Sequence, residues 1–190
     1  MTGDLAGIEQ VFALTDPEVW LLTARADGVR AGLVATFVHQ ASIVPETPRL
    51  VVGLAKQHHT WHIVESSRRL VLQLLAEEQI ELVWRFGLQS GRDANKWAGV
   101  TCDDSLAGGP RLPDALAWLD CRVEAALDTG DRTIYLAEAV DGRVERAGTP
   151  LRMRRLIELA PAERLREMKA GLMRDAAVDA TAIRQWRQGT

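Results

Sequence analysis

Strict alternation over residues 119–127 constrains the fold of this chain more than any other feature of its sequence. Every second side chain there is apolar, and Asp120, Arg122 and Glu124 stand between them. Successive side chains on a β-strand point to opposite faces of the sheet, so the pattern predicts a strand with one buried and one solvated face. Residues 133–140 supply a partner strand, which predicts an antiparallel β body. The apolar positions are Leu119, Cys121, Val123, Ala125 and Leu127.

A hairpin is predicted nearer the N-terminus. The apolar runs 19–25 and 31–38 flank Asp27-Gly28, and glycine accepts the positive φ that a tight hairpin turn requires. Further strands are predicted at residues 49–55, 70–75 and 149–156.

Helices are predicted at the periphery of this body. Thr60 stands where an N-cap is expected for a short helix over 60–66, and residues 77–86 carry apolar side chains on one helical face. Pro161 suits the first turn of a C-terminal helix, which a second, weaker helix follows. The Gly-rich stretch 87–113 predicts a long connection.

Size and charge narrow the class of protein. A chain of 190 residues fits one domain with a short appendage, and we expect these at 1–157 and 158–190. The net charge of −3 gives no broad attraction to nucleic acid or to an anionic membrane, so neither is an expected partner. The sequence has no run of 18 apolar residues and no secretory signal, from which we expect a cytoplasmic protein.

Several common catalytic and binding motifs are absent. The sequence contains no Gly-x-Gly-x-x-Gly fingerprint, no phosphate loop and no Gly-x-Ser-x-Gly elbow, so it predicts neither a standard nucleotide domain nor a hydrolase, and we assign no catalytic side chain. Cys102 and Cys121 lack Cys-x-x-Cys spacing, and we expect both to be reduced thiols.

The four histidines all lie between residues 39 and 62. His58 and His62 are spaced to share one helical face, which leaves three interpretations open: structural residues, contacts to an anion or cofactor, or metal ligands. Two histidines do not complete a zinc shell, so no metal site is predicted.

The stretch from Lys56 to Thr60 lies between a predicted strand end and a predicted helix start. Free backbone N–H groups and the positive end of the helix dipole favour an anion at such a place. An ordinary polar turn with Thr60 as the cap is the alternative.

Read in order, several modest motifs resemble the flavin reductase-like family of FMN-binding split barrels. The resemblance runs from about Asp16 to Val140, and it is carried by the segments 16–23, 31–45, 50–56 with Thr60, 74–86 and 116–123.

The resemblance implies a mainly β fold, a six-stranded antiparallel Greek-key split barrel, with peripheral helices and a C-terminal helical appendage. It also implies a homodimer that binds FMN, or FAD, near the subunit interface. The flavin ring and ribityl chain would be bordered by Thr36, Phe37, His39, Gln40, Ala41 and Ser42. The flavin phosphate would be approached by Lys56, His59 and Thr60.

The chain departs from the family pattern at Val34 and Phe37, where small hydroxyl residues are common, and at Arg132, where a His often follows Gly-Asp. Arg132 could still pair with a phosphate of a flavin or nicotinamide nucleotide. The leading hypothesis is a flavin reductase that transfers hydride from NADH or NADPH to FMN, as the partner of a flavin-dependent monooxygenase. The alternatives are a flavin-binding electron carrier or sensor reduced by a protein partner, and a barrel that holds another cofactor such as haem.

Overall fold

The computed structural model describes residues 4–89 and 95–189. Seven strands form one antiparallel sheet, with helices at its ends and on its surface. The strands are β1 (Trp20–Ala26), β2 (Val29–Ala35), β3 (Val38–Gln40), β4 (Arg49–Ala55), β5 (Arg69–Leu74), β6 (Ala117–Asp128) and β7 (Arg132–Val144). The helices are α1 (Leu5–Ala13), α2 (His59–Ser67), α3 (Ile80–Gly87), α4 (Met153–Leu159) and α5 (Ala162–Gly189), and one 3₁₀ turn spans Glu77–Gln79.

The predicted hairpin is confirmed. β1 and β2 pair from Ala26↔Val29 back to Trp20↔Ala35. Asp27 and Gly28 have φ angles of 49° and 77°, the left-handed conformation that two-residue hairpin turns require.

The sheet is curled so that its two edges come close together. The strand order is β2-β1-β5-β6-β7-β4-β3, which puts β2 at one edge and β3 at the other. Only Thr36 and Phe37 separate these strands in the chain, so their ends lie no more than about 11 Å apart. We call this junction of the two edges the seam.

The resemblance predicted six strands, whereas the described residues form seven, and the local patterns misplaced one of them. The strand expected at 149–156 does not form, because Pro150 and Arg152 make only isolated bridges and helix α4 begins at Met153. The short strand Val38–Gln40 was not distinguished from the run before it, since three residues give too little periodicity to identify.

Only the middle of the alternating segment behaves as predicted. Cys121 and Val123 are buried, but Leu127 is 63% exposed and Asp120 is buried. The pairing register with β7 shifts at Asp120/Cys121 and at Val123/Ala125. Residues 124–128 are all exposed, so neither face of β6 is buried at this end of the strand.

Both faces of the sheet are covered. Inside the curl, Leu22, Leu72 and Tyr135 belong to the larger apolar cluster. On the outside, Leu21 packs with residues of α3 and with Leu156 of α4 in a second cluster.

Both cysteines are free thiols, as expected. Burial raises the pKa of the Cys121 thiol to about 12.

The long connection after α3 is held tightly where it passes the sheet. Gln73, fully buried on β5, accepts from the Leu112 N–H at 2.5 Å and donates to the Pro110 carbonyl at 3.2 Å. The Thr23 hydroxyl donates to the same carbonyl at 2.7 Å. The predicted connection is therefore confirmed over its described residues, where it forms a fixed wall of the barrel.

The C-terminal region is one 28-residue helix, α5, where two shorter helices were predicted. The predicted boundary at 157/158 falls inside α4, whose Leu156 is 1% exposed, and the two-part division stays a prediction. No helix in the described ranges is long and apolar enough to cross a membrane.

Candidate flavin site

The segment predicted to border a ring, residues 36–42, lies at the seam and along the edge strand β3. His39 and Gln40 are exposed, and Phe37 is 55% exposed. Because β3 pairs only with β4, one side of its backbone has no strand partner. The seam therefore offers backbone donors and acceptors beside an exposed aromatic side chain.

The loop after β3 is ordered by local hydrogen bonds. The Ala41 N–H donates to the Arg49 carbonyl at 2.8 Å, and the Gln40 amide donates to the Ser42 carbonyl at 2.7 Å. The Ser42 hydroxyl accepts from the Val44 N–H at 3.0 Å. The six residues predicted to border the ring thus lie in one short segment of the chain, and each of them is exposed or partly exposed.

Helix α2 begins where it was expected, but its cap is different. The N-cap residue is His58, which makes no side-chain capping bond. Thr60 lies in the first turn and is 3% exposed, so the prediction that Thr60 caps the helix is wrong. Ile63 and Val64 are buried and lie on the same face of α2 as Thr60, so Thr60 is buried with them.

Thr60 and His59 line a cavity of about 110 Å³ together with Arg30, Lys96 and Trp97. A site for a drug-sized ligand has roughly 300–1,000 Å³, so this cavity suits one functional group and not a whole flavin. In the described part of the chain the Thr60 hydroxyl has no hydrogen-bond partner. We call this space the Lys96 cavity.

Lys96 is a candidate site residue that sequence reasoning missed. It is 6% exposed, and its Nζ donates to the Phe86 and Gly32 carbonyls at 2.8 and 3.2 Å. No carboxylate of residues 4–89 or 95–189 forms an ion pair with it. Burial lowers its pKa to about 8. A lone lysine inside a predicted connection gave no signal of this burial.

Lys56 and Arg132 lie on the other side of the start of α2. The Lys56 Nζ is 2.5 Å from Asp128 Oδ1, and the Lys56 N–H donates to the Asp131 carbonyl at 2.9 Å. The hydrogen bond from Lys56 holds the pKa of Asp128 below its usual range. Lys56 is thus already paired with a carboxylate at the end of β6.

Arg132 connects this turn to the seam. Its guanidinium carbon lies 4.9 Å from the centre of the Phe37 ring, a cation–π geometry. Its Nε donates to Asp131 at 2.5 Å and its Nη2 to Asp179 of helix α5 at 2.9 Å. We call Asp131, Arg132 and Asp179 the arginine cluster. The structure therefore brings two of the predicted site residues, Phe37 and Arg132, into contact.

Metal binding receives no support from these positions. In the described ranges, no group of three or more His, Cys, Asp or Glu side chains is placed to hold a metal ion.

Comparison with known proteins identifies sequence and fold relatives. The pattern of the flavin reductase like domain matches residues 15–155. The high molecular weight rubredoxin of Moorella thermoacetica is 30% identical over 135 residues, which cover 70% of this chain and 58% of that protein. The reductase component of a 4-nitrophenol 4-monooxygenase/4-nitrocatechol 2-monooxygenase from Rhodococcus opacus is 33% identical over 133 residues, 70% of this chain and 68% of the relative.

Other relatives are much longer than the match. Diflavin flavoprotein A 1 of Synechocystis is 28% identical over 141 residues, which are 74% of this chain but only 24% of that protein. The chain therefore spans between a quarter and three fifths of the length of the first curated relatives it matches.

Solved structures share the fold. A flavin reductase domain protein from Arthrobacter sp. FB24 has a TM-score of 0.69 at 23% identity, covering 77% of this chain and 89% of that one. Flavin reductase HpaC complexed with NADP⁺ has a TM-score of 0.67 at 21% identity, covering 80% and 95%.

Proposed function

The chain belongs to the flavin reductase-like family, and from this premise we propose that it binds FMN and works as an NAD(P)H-dependent flavin reductase. One observation carries the proposal: the exposed seam and the Lys96 cavity share the edge strand β2. Gly32 accepts a hydrogen bond from Lys96, and Thr36 follows the end of the same strand. Four residues of strand span about 13 Å, which is longer than an extended ribityl chain alone but within the combined length of the ribityl chain and the ring.

The residues at the seam fit the ring of a flavin. Its polar edge needs hydrogen bonds, and an edge strand has unpaired backbone groups to supply them. In the proposal the ring lies along Thr36, Phe37, His39, Gln40, Ala41 and Ser42. Arg132 borders this stretch through its contact with Phe37.

The Lys96 cavity fits a phosphate. At pH 7 an amine with a pKa of about 8 is mostly protonated, and a buried cation that has no carboxylate partner among residues 4–89 and 95–189 favours an anionic ligand. We assign His59, Thr60 and Lys96 to the phosphate, with Lys56 nearby at the start of the same turn. The small volume of the cavity supports a terminal phosphate of FMN over the larger diphosphate of FAD.

Bound flavin would supply the hydride acceptor, and the chain has only to hold the nicotinamide against the exposed ring face. This explains why no catalytic side chain is needed. Since relatives include reductase components of monooxygenases, we propose that a flavin-dependent monooxygenase is the partner of this protein. We also propose that the protein itself is a homodimer and is cytoplasmic.

The test is an absorption spectrum of the purified protein before and after addition of FMN, followed by assays of NADH and NADPH oxidation. We expect flavin absorbance and oxidation of one or both nicotinamides. Bound flavin without nicotinamide oxidation, even with an added acceptor, would overturn the reductase assignment.

That outcome would favour the second candidate, an electron carrier reduced by a protein partner. The match to a high molecular weight rubredoxin and the substitutions at Val34, Phe37 and Arg132 motivate it. If NADH reduces the bound flavin at the same rate with and without a partner reductase, the electron-carrier function is excluded.

A further inference from the structure

Helix α5 lies outside the part of the chain that matches the family, yet it reaches the seam through the arginine cluster. Asp179 is the contact: its two carboxylate oxygens accept from Arg132 at 2.9 Å and from Gln57 at 3.0 Å. Further along the helix, Trp186 and Ala182 crowd Gly130, where a Cβ would lie 2.6 Å from the Trp186 Cβ. The helix is therefore seated closely on the turn between β6 and β7.

The arginine cluster is built to hold a side chain still. The side chains of Asp131, Asp179 and Arg132 are 6%, 16% and 24% exposed. Two carboxylates against one guanidinium give the cluster a net negative charge, which disfavours a phosphate there. A guanidinium held from two sides has one orientation, and here its carbon lies 4.9 Å from the centre of the Phe37 ring.

We propose that Asp179 is a positioning residue for the ring half of the flavin site, acting on Phe37 through Arg132, so that α5 is part of this site. The inference rests on the proposed function and extends it to a segment beyond the family match. Asp179 does not touch the ring segment itself, and its effect passes through a single guanidinium.

The experiment compares Asp179→Asn with Asp175→Asn, one helical turn earlier, where the backbone carbonyl and not the carboxylate accepts from Gln57. Dissociation constants are measured for FMN and for riboflavin, which has the ring without the phosphate. We expect Asp179→Asn to weaken both ligands alike, about threefold to tenfold, and Asp175→Asn to change neither. Thermal unfolding establishes that the compared variants are folded.

A second background tests the route. In a Phe37→Ala protein, Asp179→Asn should have no further effect on either dissociation constant, because the side chain that it positions is gone. Arg132→Lys keeps a cation for both carboxylates but lacks the planar guanidinium face. It should therefore weaken flavin binding as much as Asp179→Asn does, although the charges of the cluster remain paired.

Unchanged riboflavin binding in Asp179→Asn, or equal weakening in the Phe37→Ala background, would overturn the inference while leaving the reductase proposal intact. A loss confined to FMN would also overturn it, since that would be an effect on the phosphate. Failure of the unmodified protein to bind either flavin would overturn the proposed function itself.

Discussion

Two groups of cations flank the start of α2, and they differ in what neutralises them. Lys96 is buried against carbonyl groups, whereas Lys56 and Arg132 each have a carboxylate within 2.5 Å. The pKa of His58 depends on both groups. Burial lowers it, the Asp175 carboxylate raises it, and the positive charge of Lys96 lowers it further. The comparison teaches that, among the described residues, a buried cation that contacts only carbonyl groups is a better candidate for binding an anion than a cation already paired with a carboxylate.

The largest effect is expected at the arginine cluster. Arg132→Gln leaves Asp131 and Asp179 close together without a cation, and breaking a partly buried ion pair destabilises by more than breaking an exposed one, up to about 3 kcal/mol. Urea unfolding should show a loss near this value, against less than about 1 kcal/mol for Lys56→Gln, whose partner Asp128 is largely exposed. Similar losses in the two variants would contradict the distinction between these ion pairs.

Lys96→Met should have the next largest effect, this time on binding. It removes the proposed charge-assisted contact to phosphate, and such contacts are commonly worth about 1.5–3 kcal/mol, so FMN affinity should fall about 10- to 100-fold. Riboflavin affinity should stay unchanged, as titration of flavin fluorescence can measure. Equal loss for both ligands would mean that Lys96 acts only by holding the Phe86 and Gly32 carbonyls.

The pH dependence is expected to be smaller. With a pKa of about 8, Lys96 loses its proton as pH rises through 8, while a phosphate monoester stays a dianion above about pH 6. FMN affinity should fall about tenfold between pH 7 and pH 9, with riboflavin and Lys96→Met as flat controls. Because the folded pKa is below the usual 10.5, stability of the flavin-free protein should rise with pH over the same interval and up to that value.

The smallest effect is expected at Lys56. Lys56→Glu should weaken FMN more than riboflavin, since it puts a negative charge near the start of α2, but by no more than about fivefold at this solvated site. A larger loss than that of Lys96→Met would reverse the comparison and locate the phosphate beside Lys56. Binding measured in parallel on both variants decides between the two lysines.

Local chemistry made much of the fold predictable. Asp27-Gly28 specifies its turn by backbone conformation alone, and β4 and α2 follow from short runs of sequence. The strand predicted at 149–156 is wrong because Pro150 and Arg152 make single bridges to distant residues and the chain becomes helical at Met153. No property of residues 119–127 by themselves indicates the two register shifts in their pairing with β7.

The site was predictable only in part, for the same reason. Residues 36–42, predicted to border the flavin ring, are adjacent in the sequence, so the sequence alone predicts that they lie together. Lys96 depends on carbonyls contributed by β2 and α3, and the pair Arg132–Asp179 joins residues 47 positions apart. Such contacts follow from the tertiary fold, which a local pattern does not encode.

The two-residue join between β2 and β3 has a consequence for binding kinetics. Because Thr36 and Phe37 tie the sheet edges covalently, the mouth of the seam is already near its final width before a ligand arrives. A preformed site loses little conformational freedom on binding and needs no slow opening step. Flavin should therefore associate in a single concentration-dependent phase, and affinity differences among the variants should arise mainly from the rates at which flavin leaves.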